Sequence, residues 1–417
     1  MSDENPSPHH SGKHRVFLLA NIALAALTIL AGSGLLFANW KLNSRKVVTI
    51  DSVNNANGPD LPLGDLQAKN FLITGSDNNA CIAKDSPYAG GFGVRSTFGE
   101  RSDSIMVIRV NPIDNQAAVL SFPRDMWVKQ AGSTRHGRIN TNFDKKNPNI
   151  LIRTIKENFG ISIDHYVNID FCAFKEVIDA VGGVRVPFVN KSRDTHTGFK
   201  VLKTNICYSF AGDHALAYMR SRHYQWYDPA LHKWRTDPSS DWGRIARQQD
   251  FMRRLVKKAL DKARTNPAVA TGILNAVLKN VITDDRLNPL TVLQLGQAMK
   301  NFDANTMGSY TMPGLGQVID KASVIVPDLV SDQAIKILSV FQGKASLSTT
   351  VKGAAFTPPP AEFTQLATAI GTTSIMRLSL SQPATTPTTT TTTTIPAVVI
   401  EQVTKGIVPP NDPNCQF

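Results

Sequence analysis

Four short stretches carry residue types suited to phosphate chemistry. They are Gly75-Ser76-Asp77, Arg101-Ser102-Asp103, Ser121-Phe122-Pro123-Arg124-Asp125 and the segment from Arg220 to Lys258. The last holds seven Arg, three Lys, four Asp and no Glu, so 39 residues carry +6, half of the +12 formal charge of the whole chain. Planar guanidinium forks grip phosphate oxygens bidentately, which a lysine point charge does less selectively. On an extended segment Arg220 and Arg222, two apart, point to one face; on a helix Arg244 and Gln248, four apart, share another. Asp77 and Asp103, at strand ends, offer oxygens to a hard cation such as Mg²⁺, which takes one or two carboxylates and completes its shell with water and substrate phosphate. Carboxylate-bound metal beside several arginines is what phosphoryl transfer requires, because positioning and electrostatics stabilise the charge on the phosphate oxygens. Arg253, Arg254, Lys257 and Lys258 read as a solvated helix face. No Walker loop and no GxGxxG after a strand occurs, and His9, His10, His165, His196, His214, His223 and His232 show no ligand spacing.

The elements that must position these residues follow from periodicity. Asn70 to Thr74 is a short apolar run that stops at a turn, and Ser104 to Val110 and Gln116 to Phe122 are strand-like runs joined by the turn residues Asn111 to Asn115. Antiparallel strands of such a hairpin bring Asp103, before the first, and Arg124, after the second, to the same end. Ile150 to Phe159 reads as a helix ended by Gly160, Tyr166 to Phe171 as a strand, and Phe174 to Val181 as a helix closed by Gly182-Gly183 before strand Val184 to Val186. Arg244 to Ala263, Pro267 to Ile282 and Leu290 to Phe302 carry helical patterns. This alternation predicts an α/β layered domain with helices covering a mixed sheet.

The 417 residues suffice for two or three domains, but both ends read otherwise. After a polar stretch, 1–15, no charge occurs for 25 positions between Arg15 and Lys41. A helix over 16–40 outspans a hydrocarbon core of roughly 30 Å, which predicts a single uncleaved transmembrane signal anchor. Residues 41–65 form a juxtamembrane linker, 66–345 the soluble domain and 346–417 a Thr/Pro-rich low-complexity tail with seven threonines at 388–394. Cys81, Cys172, Cys207 and Cys415 all follow the anchor without metal-ligand spacing, so disulfides and an extracytoplasmic domain are expected, in any of three pairings. The basic charge points to anionic partners. Nucleic acid is disfavoured, since Asp residues interrupt the basic segment and it lies beyond the anchor.

NFLITGSD, RSDSIMVIRV, AVLSFPRD, Arg138-Ile139-Asn140, YVNIDFCAFKEVIDAVGGVRV, GDHALAYMRSR and DWGRIARQQ, in this order, resemble the LytR-CpsA-Psr family, densely over 66–255 and more faintly to about 345. The resemblance implies a three-layer α/β/α domain with an apolar pocket for a lipid chain. It implies a membrane-anchored enzyme that moves a glycopolymer from a polyprenyl pyrophosphate carrier to peptidoglycan, forming a phosphodiester. Carried over by motif, Asp77 and Asp103 hold Mg²⁺, while Arg124, Arg220, Arg222, Arg244 and Gln248 grip the pyrophosphate; Asp125 and Arg101 orient them. Asp103, Arg124, Arg220, Arg222 and Arg244 are thus the candidate catalytic residues, with a pyrophosphatase side activity possible for such a site. The competing reading is a non-catalytic polyprenyl phosphate-binding or regulatory protein. Two insertions, Cys81 to Glu100 and His223 to Ser240, depart from the family pattern; Trp226, Tyr227 and Trp234 in the second suit sugar stacking or, more simply, a small apolar cluster under a loop.

Overall fold

Continuous apolar runs, Ile105 to Ile108 and Ala117 to Leu120, fill Ser102–Asn111 and Gln116–Phe122, and these segments pair antiparallel as the expected hairpin. The computed structural model describes residues 46–51, 67–77, 81–89, 102–265, 281–287, 289–347 and 396–415. The apolar run 16–40, Arg101, most of 41–65, the threonine run and nearly all of the helix expected over 267–282 lie outside them. Among the described residues no helix is long and apolar enough to cross a membrane.

Seven strands form one mixed sheet: β1 (Lys46–Val48), β2 (Lys69–Ser76), β3 (Ser102–Asn111), β4 (Gln116–Phe122), β5 (His165–Asp170), β6 (Ile282–Asp284) and β7 (Gly308–Thr311). Their order is β1-β6-β5-β2-β3-β4-β7. β2 runs parallel to β5 and antiparallel to β3, and β4 runs parallel to β7. Ile282 therefore opens a strand instead of ending a helix, as its periodicity had suggested.

Among the described residues six α-helices accompany this sheet and several smaller ones: α1 (Asn149–Phe159), α2 (Phe171–Ala180), α3 (Gly212–Met219), α4 (Asp241–Thr265), α5 (Pro289–Ala298) and α6 (Asp332–Phe341). α1 stops at Gly160, whose φ of +68° is the left-handed conformation that glycine adopts without steric cost. α2 starts three residues earlier than its apolar spacing predicts, because the Asp170 side chain accepts from the Ala173 N–H at 2.8 Å; such a cap contributes about 1 kcal/mol. Successive residues of β3 face opposite ways. Ile105 and Val107 pack with Leu151, Ile155 and Phe159 of α1 and Ile337 and Phe341 of α6. Met106, Ile108 and Val110 pack with Val256 and Leu260 of α4, Leu295 of α5, and Phe302. Helices thus cover both faces, and α4 also joins a second cluster through Phe251 and Leu255, against α2 and α3.

The end of the chain returns to this body. Ala397–Val398 pairs with Ser346–Leu347, Ile400 joins the first core cluster, and Cys415 forms a disulfide with Cys207. The other disulfide, Cys81–Cys172, ties the loop after β2 to the start of α2.

Candidate active site

The hairpin delivers Asp103 and Arg124 to one end of the sheet, and strand β2 then adds what alternation alone does not predict. Gly75 pairs with Ser104 while Ser76 pairs with Ser102, so Asp103 is the extra residue of a bulge. A bulge re-aims a side chain without ending the ladder. A Cβ on Gly75 would lie 3.2 Å from the Ser104 Cβ, which explains a glycine where the strands crowd.

Three guanidinium groups converge on the re-aimed carboxylate. Arg124 Nη1 donates to Asp103 Oδ1 at 2.7 Å, and Arg222 Nη2 lies 3.2 Å from Oδ2. Arg244 Nη2 donates to the Asp103 carbonyl at 2.7 Å, with its Nη1 4.0 Å from Oδ2. Asp241, one helical turn before Arg244 on α4, holds Arg222 Nε at 3.0 Å and Arg244 Nη2 at 3.1 Å. Asp125 sits between Arg124 Nε at 3.4 Å and Arg138 Nε at 3.3 Å. Four guanidinium groups therefore face three carboxylates. Burial alone would raise the Asp103 carboxyl, but Arg244, Arg222 and Arg124 outweigh it and hold it well below the usual carboxylate range. Burial pushes Arg244 down to about 10 against the upward pull of Asp241 and Asp103, so it stays charged at neutral pH. The Nε atoms of Arg222 and Arg124 face Asp241 and Asp125, while that of Arg244 is buried with no hydrogen bond among the described residues. Four crowded cations against three carboxylates suit an acceptor-only ligand of high charge density, such as a phosphate.

The other predicted residues divide. Arg222 joins Asp103, but Arg220 caps α3 with φ −97° and ψ −5°, helical instead of extended, so the pair does not share a strand face. The Arg220 guanidinium lies 5.0 Å over the Phe171 ring at the start of α2. Gln248 is buried beside the cluster with its amide engaged at both ends: Nε2 donates to the Met219 carbonyl at 3.0 Å and Oε1 accepts from Ser104 at 3.2 Å. It braces α3 and α4 against β3. Asp77 is buried immediately after β2, past the pair Ser76 and Ser102, and so flanks the same bulge as Asp103. Both carboxylates are hard oxygen donors of the kind Mg²⁺ takes, and the two oxygens of Asp103 already face Arg124 and Arg222. No cluster of three or more His, Cys, Asp or Glu suited to a metal occurs among the described residues.

Sequence reasoning missed Asp241 and the part played by Arg138. Asp241 stands three residues before Arg244, the spacing that puts two side chains on one helix face, and was legible on that ground. Arg138 was not, since its approach to Asp125 depends on the turn after β4. Arg253, Arg254, Lys257 and Lys258 are not one solvated face, since Arg254 is only 8% exposed.

The LytR_cpsA_psr family model matches residues 43–337, most of the chain. The chain belongs to the LytR-CpsA-Psr family. It is 32% identical over 203 residues to the polyisoprenyl-teichoic acid–peptidoglycan teichoic acid transferase TagU of Bacillus anthracis, covering 48% of this chain and 59% of that one. The TagU of Halalkalibacterium halodurans is 31% identical over 198 residues, with 48% and 60% covered. The chain thus spans about three fifths of the length of these relatives. In fold it is similar to the LytR-Csp2A-Psr enzyme from Actinomyces oris, with a TM-score of 0.53 at 19% identity over 72% of this chain and 96% of that one. It is also similar to B. subtilis TagV, with a TM-score of 0.51 at 24% identity over 67% and 98%. The mixed α/β fold expected from the family resemblance is therefore present, and the matched stretch contains every candidate site residue from Asp77 to Gln248.

Proposed function

We propose that this LytR-CpsA-Psr member is a membrane-anchored transferase that moves a glycopolymer from a polyprenyl pyrophosphate carrier to peptidoglycan in cell wall assembly. The observation that carries this reading is the convergence of Arg124, Arg222 and Arg244, from three separate elements, on the bulged Asp103. Such a constellation has no covalent nucleophile and needs none: it positions a diphosphate and stabilises charge on its oxygens. An acceptor hydroxyl on the wall attacks the sugar-proximal phosphorus. A new P–O bond forms, the bridging P–O bond breaks, polyprenyl phosphate leaves with the bond's electron pair, and the hydroxyl proton passes to solvent. Asp77 and Asp103 are the residues that hold Mg²⁺, which when bound neutralises phosphate charge. Membrane attachment is supported by the apolar run 16–40, and an extracytoplasmic location by the two disulfides. The relatives' transfer of teichoic acid from a polyisoprenyl carrier supports the donor and acceptor classes.

The test supplies the full-length protein in detergent with a lipid-linked glycopolymer, Mg²⁺ and peptidoglycan. Covalent attachment is expected, lost with EDTA and restored by Mg²⁺. Retention of the lipid without attachment would replace this reading with a carrier, and release of free sugar phosphate alone would replace it with a pyrophosphatase.

A further inference from the structure

The two edges of the central sheet open toward the same end. Lys46 of β1 pairs with Ile282, Ile282 with Asn168, and Asn168 with Thr74, two residues before Ser76. β1 runs opposite to β2, so its first residue, Lys46, marks the end of the sheet at which β2 delivers Asp77. The apolar run 16–40 stops six residues earlier, and six residues of chain reach at most about 22 Å. At the other edge β7 runs parallel to β4, with Thr311 beside Ser121, and so leaves the sheet where Phe122 leads to Arg124. Six strand spacings, about 29 Å, part the two edges, and the Asp103 centre lies between them.

β7 is followed by a hairpin, Gly314–Ile319 against Ala322–Pro327. Its second strand is fixed to the rim of the site: the Ile325 N–H donates to the Asp125 carbonyl at 3.0 Å, and Arg138 Nη2 donates to the Ser323 carbonyl at 2.9 Å. Val318 pairs with Ser323 and so stands one strand out from Arg138. The first strand has a partner on one side only among the described residues. Leu315 and Val318 on it are 66% and 76% exposed, and Val330, just past the hairpin, is 86% exposed. Asp320 and Lys321, in the turn, are the only charged residues from Gly314 to Pro327. Aliphatic groups left in water on an uncharged edge strand mark a contact surface.

We propose that this hairpin is a membrane-contact element, resting in the interfacial layer of the same bilayer that holds the run 16–40. The inference rests on the membrane attachment proposed above. The short reach from that run to Lys46 brings the bilayer to the end of the sheet where the hairpin emerges, and this commits the exposed face to lipid. Leu315, Val318 and Val330 enter the boundary between headgroups and acyl chains, a depth of about 5–10 Å, while Asp320 and Lys321 stay among the headgroups. Held at both edges, the sheet turns the Asp103 centre toward the lipid surface, and a diphosphate carried on a lipid meets the guanidinium groups there.

The experiment reconstitutes the full-length protein in liposomes of phosphatidylglycerol and phosphatidylethanolamine. All four native cysteines are in disulfides, so Val318→Cys takes a single NBD fluorophore. Ile113→Cys is the control: it is exposed, in the turn between β3 and β4, about 30 Å along β3 from the site. Doxyl-labelled phospholipid is expected to quench the fluorophore at 318 at least twofold more than at 113. Equal quenching at the two positions, or stronger quenching at 113, overturns the proposal. Cross-linking between copies through Cys at 318, without quenching, also overturns it and assigns the hairpin to a second copy of the chain. The measurement needs no glycopolymer, so an inactive transferase leaves the contact standing. Protein that fails to float with the liposomes overturns the membrane attachment and the contact together, whereas floating protein without quenching at 318 overturns the contact alone.

Discussion

Arg244 and Arg247 stand less than one turn apart on α4, yet they belong to opposite kinds of site. Arg247 is fully enclosed: Nη1 meets Asp237 at 2.8 Å and the Ile407 carbonyl at 3.2 Å, Nη2 meets the Ser221 carbonyl at 2.9 Å, and the guanidinium lies 4.5 Å over Tyr224. One cation there meets one carboxylate, and Asp237 is itself tied by Ser239 and by the Ile407 N–H. At Asp103 three cations crowd one partly exposed carboxylate. Residue type does not separate these roles; charge balance and closure do. A balanced, covered pair holds the fold, and an unbalanced, open one is kept for a charged ligand. Gly243 marks the boundary. A Cβ on it would meet the Asp237 carboxylate at 2.5 Å, and Gly406 packs against it with φ +98°, so the C-terminal segment closes over Arg247 only because both positions are glycine.

This contrast breaks most visibly with Arg247→Ala, which leaves Asp237 buried and unpaired; a loss of about 3–5 kcal/mol is expected, read by urea denaturation. Arg244→Ala or Arg222→Ala is expected to do the reverse. Transfer falls about 10²- to 10³-fold, as when a preorganised donor to a reacting oxyanion is removed, while the urea midpoint moves much less. Equal losses of stability from Arg247→Ala and Arg222→Ala would erase the distinction. Cys415→Ser comes next: opening the link to Cys207, 208 residues away, costs about 2–4 kcal/mol. The returning segment covers Arg247 and not Asp103, so ligation by the surviving folded fraction is expected to continue at nearly the wild-type rate.

Much of the active site was legible because it rests on local rules. The antiparallel hairpin of β3 and β4 brings Asp103 and Arg124 to the same end, and the i, i+4 rule sets Gln248 on the face of Arg244. The bulge that aims Asp103 was not legible, since it depends on the register between β2 and β3, two strands parted by an insertion. Arg220 was misplaced because its two-residue spacing from Arg222 says nothing of where α3 ends. Arg254 was read as solvated for a related reason: helical period tells which residues share a face, but not that Pro410, 156 residues later, lies over that face. Of three cysteine pairings, no spacing rule selects Cys81 with Cys172 and Cys207 with Cys415; only the folded distances do.

The smallest expected effect separates the two regions by pH. His214, on α3, accepts the Lys200 N–H at Nε2 and meets the Tyr208 hydroxyl at 2.8 Å, stacked on Tyr88. Burial, with Lys200, pushes its imidazole down to about 4 from an ordinary value of 6.5. The unfolded chain therefore binds this proton first. The contribution is complete above pH 6.5 and is lost progressively as pH falls toward 4, about 1 kcal/mol after allowance for solvent screening. The Asp103 carboxyl, held below its usual range, stays ionised through that window and loses its contribution only below the ordinary carboxylate value of about 3.9. Thermal melting between pH 7 and 4.5 should thus show a slope that His214→Gln removes and Arg222→Ala leaves in place. A slope abolished by Arg222→Ala would mean that the guanidinium cluster, and not the aromatic core around α3, governs stability in mild acid.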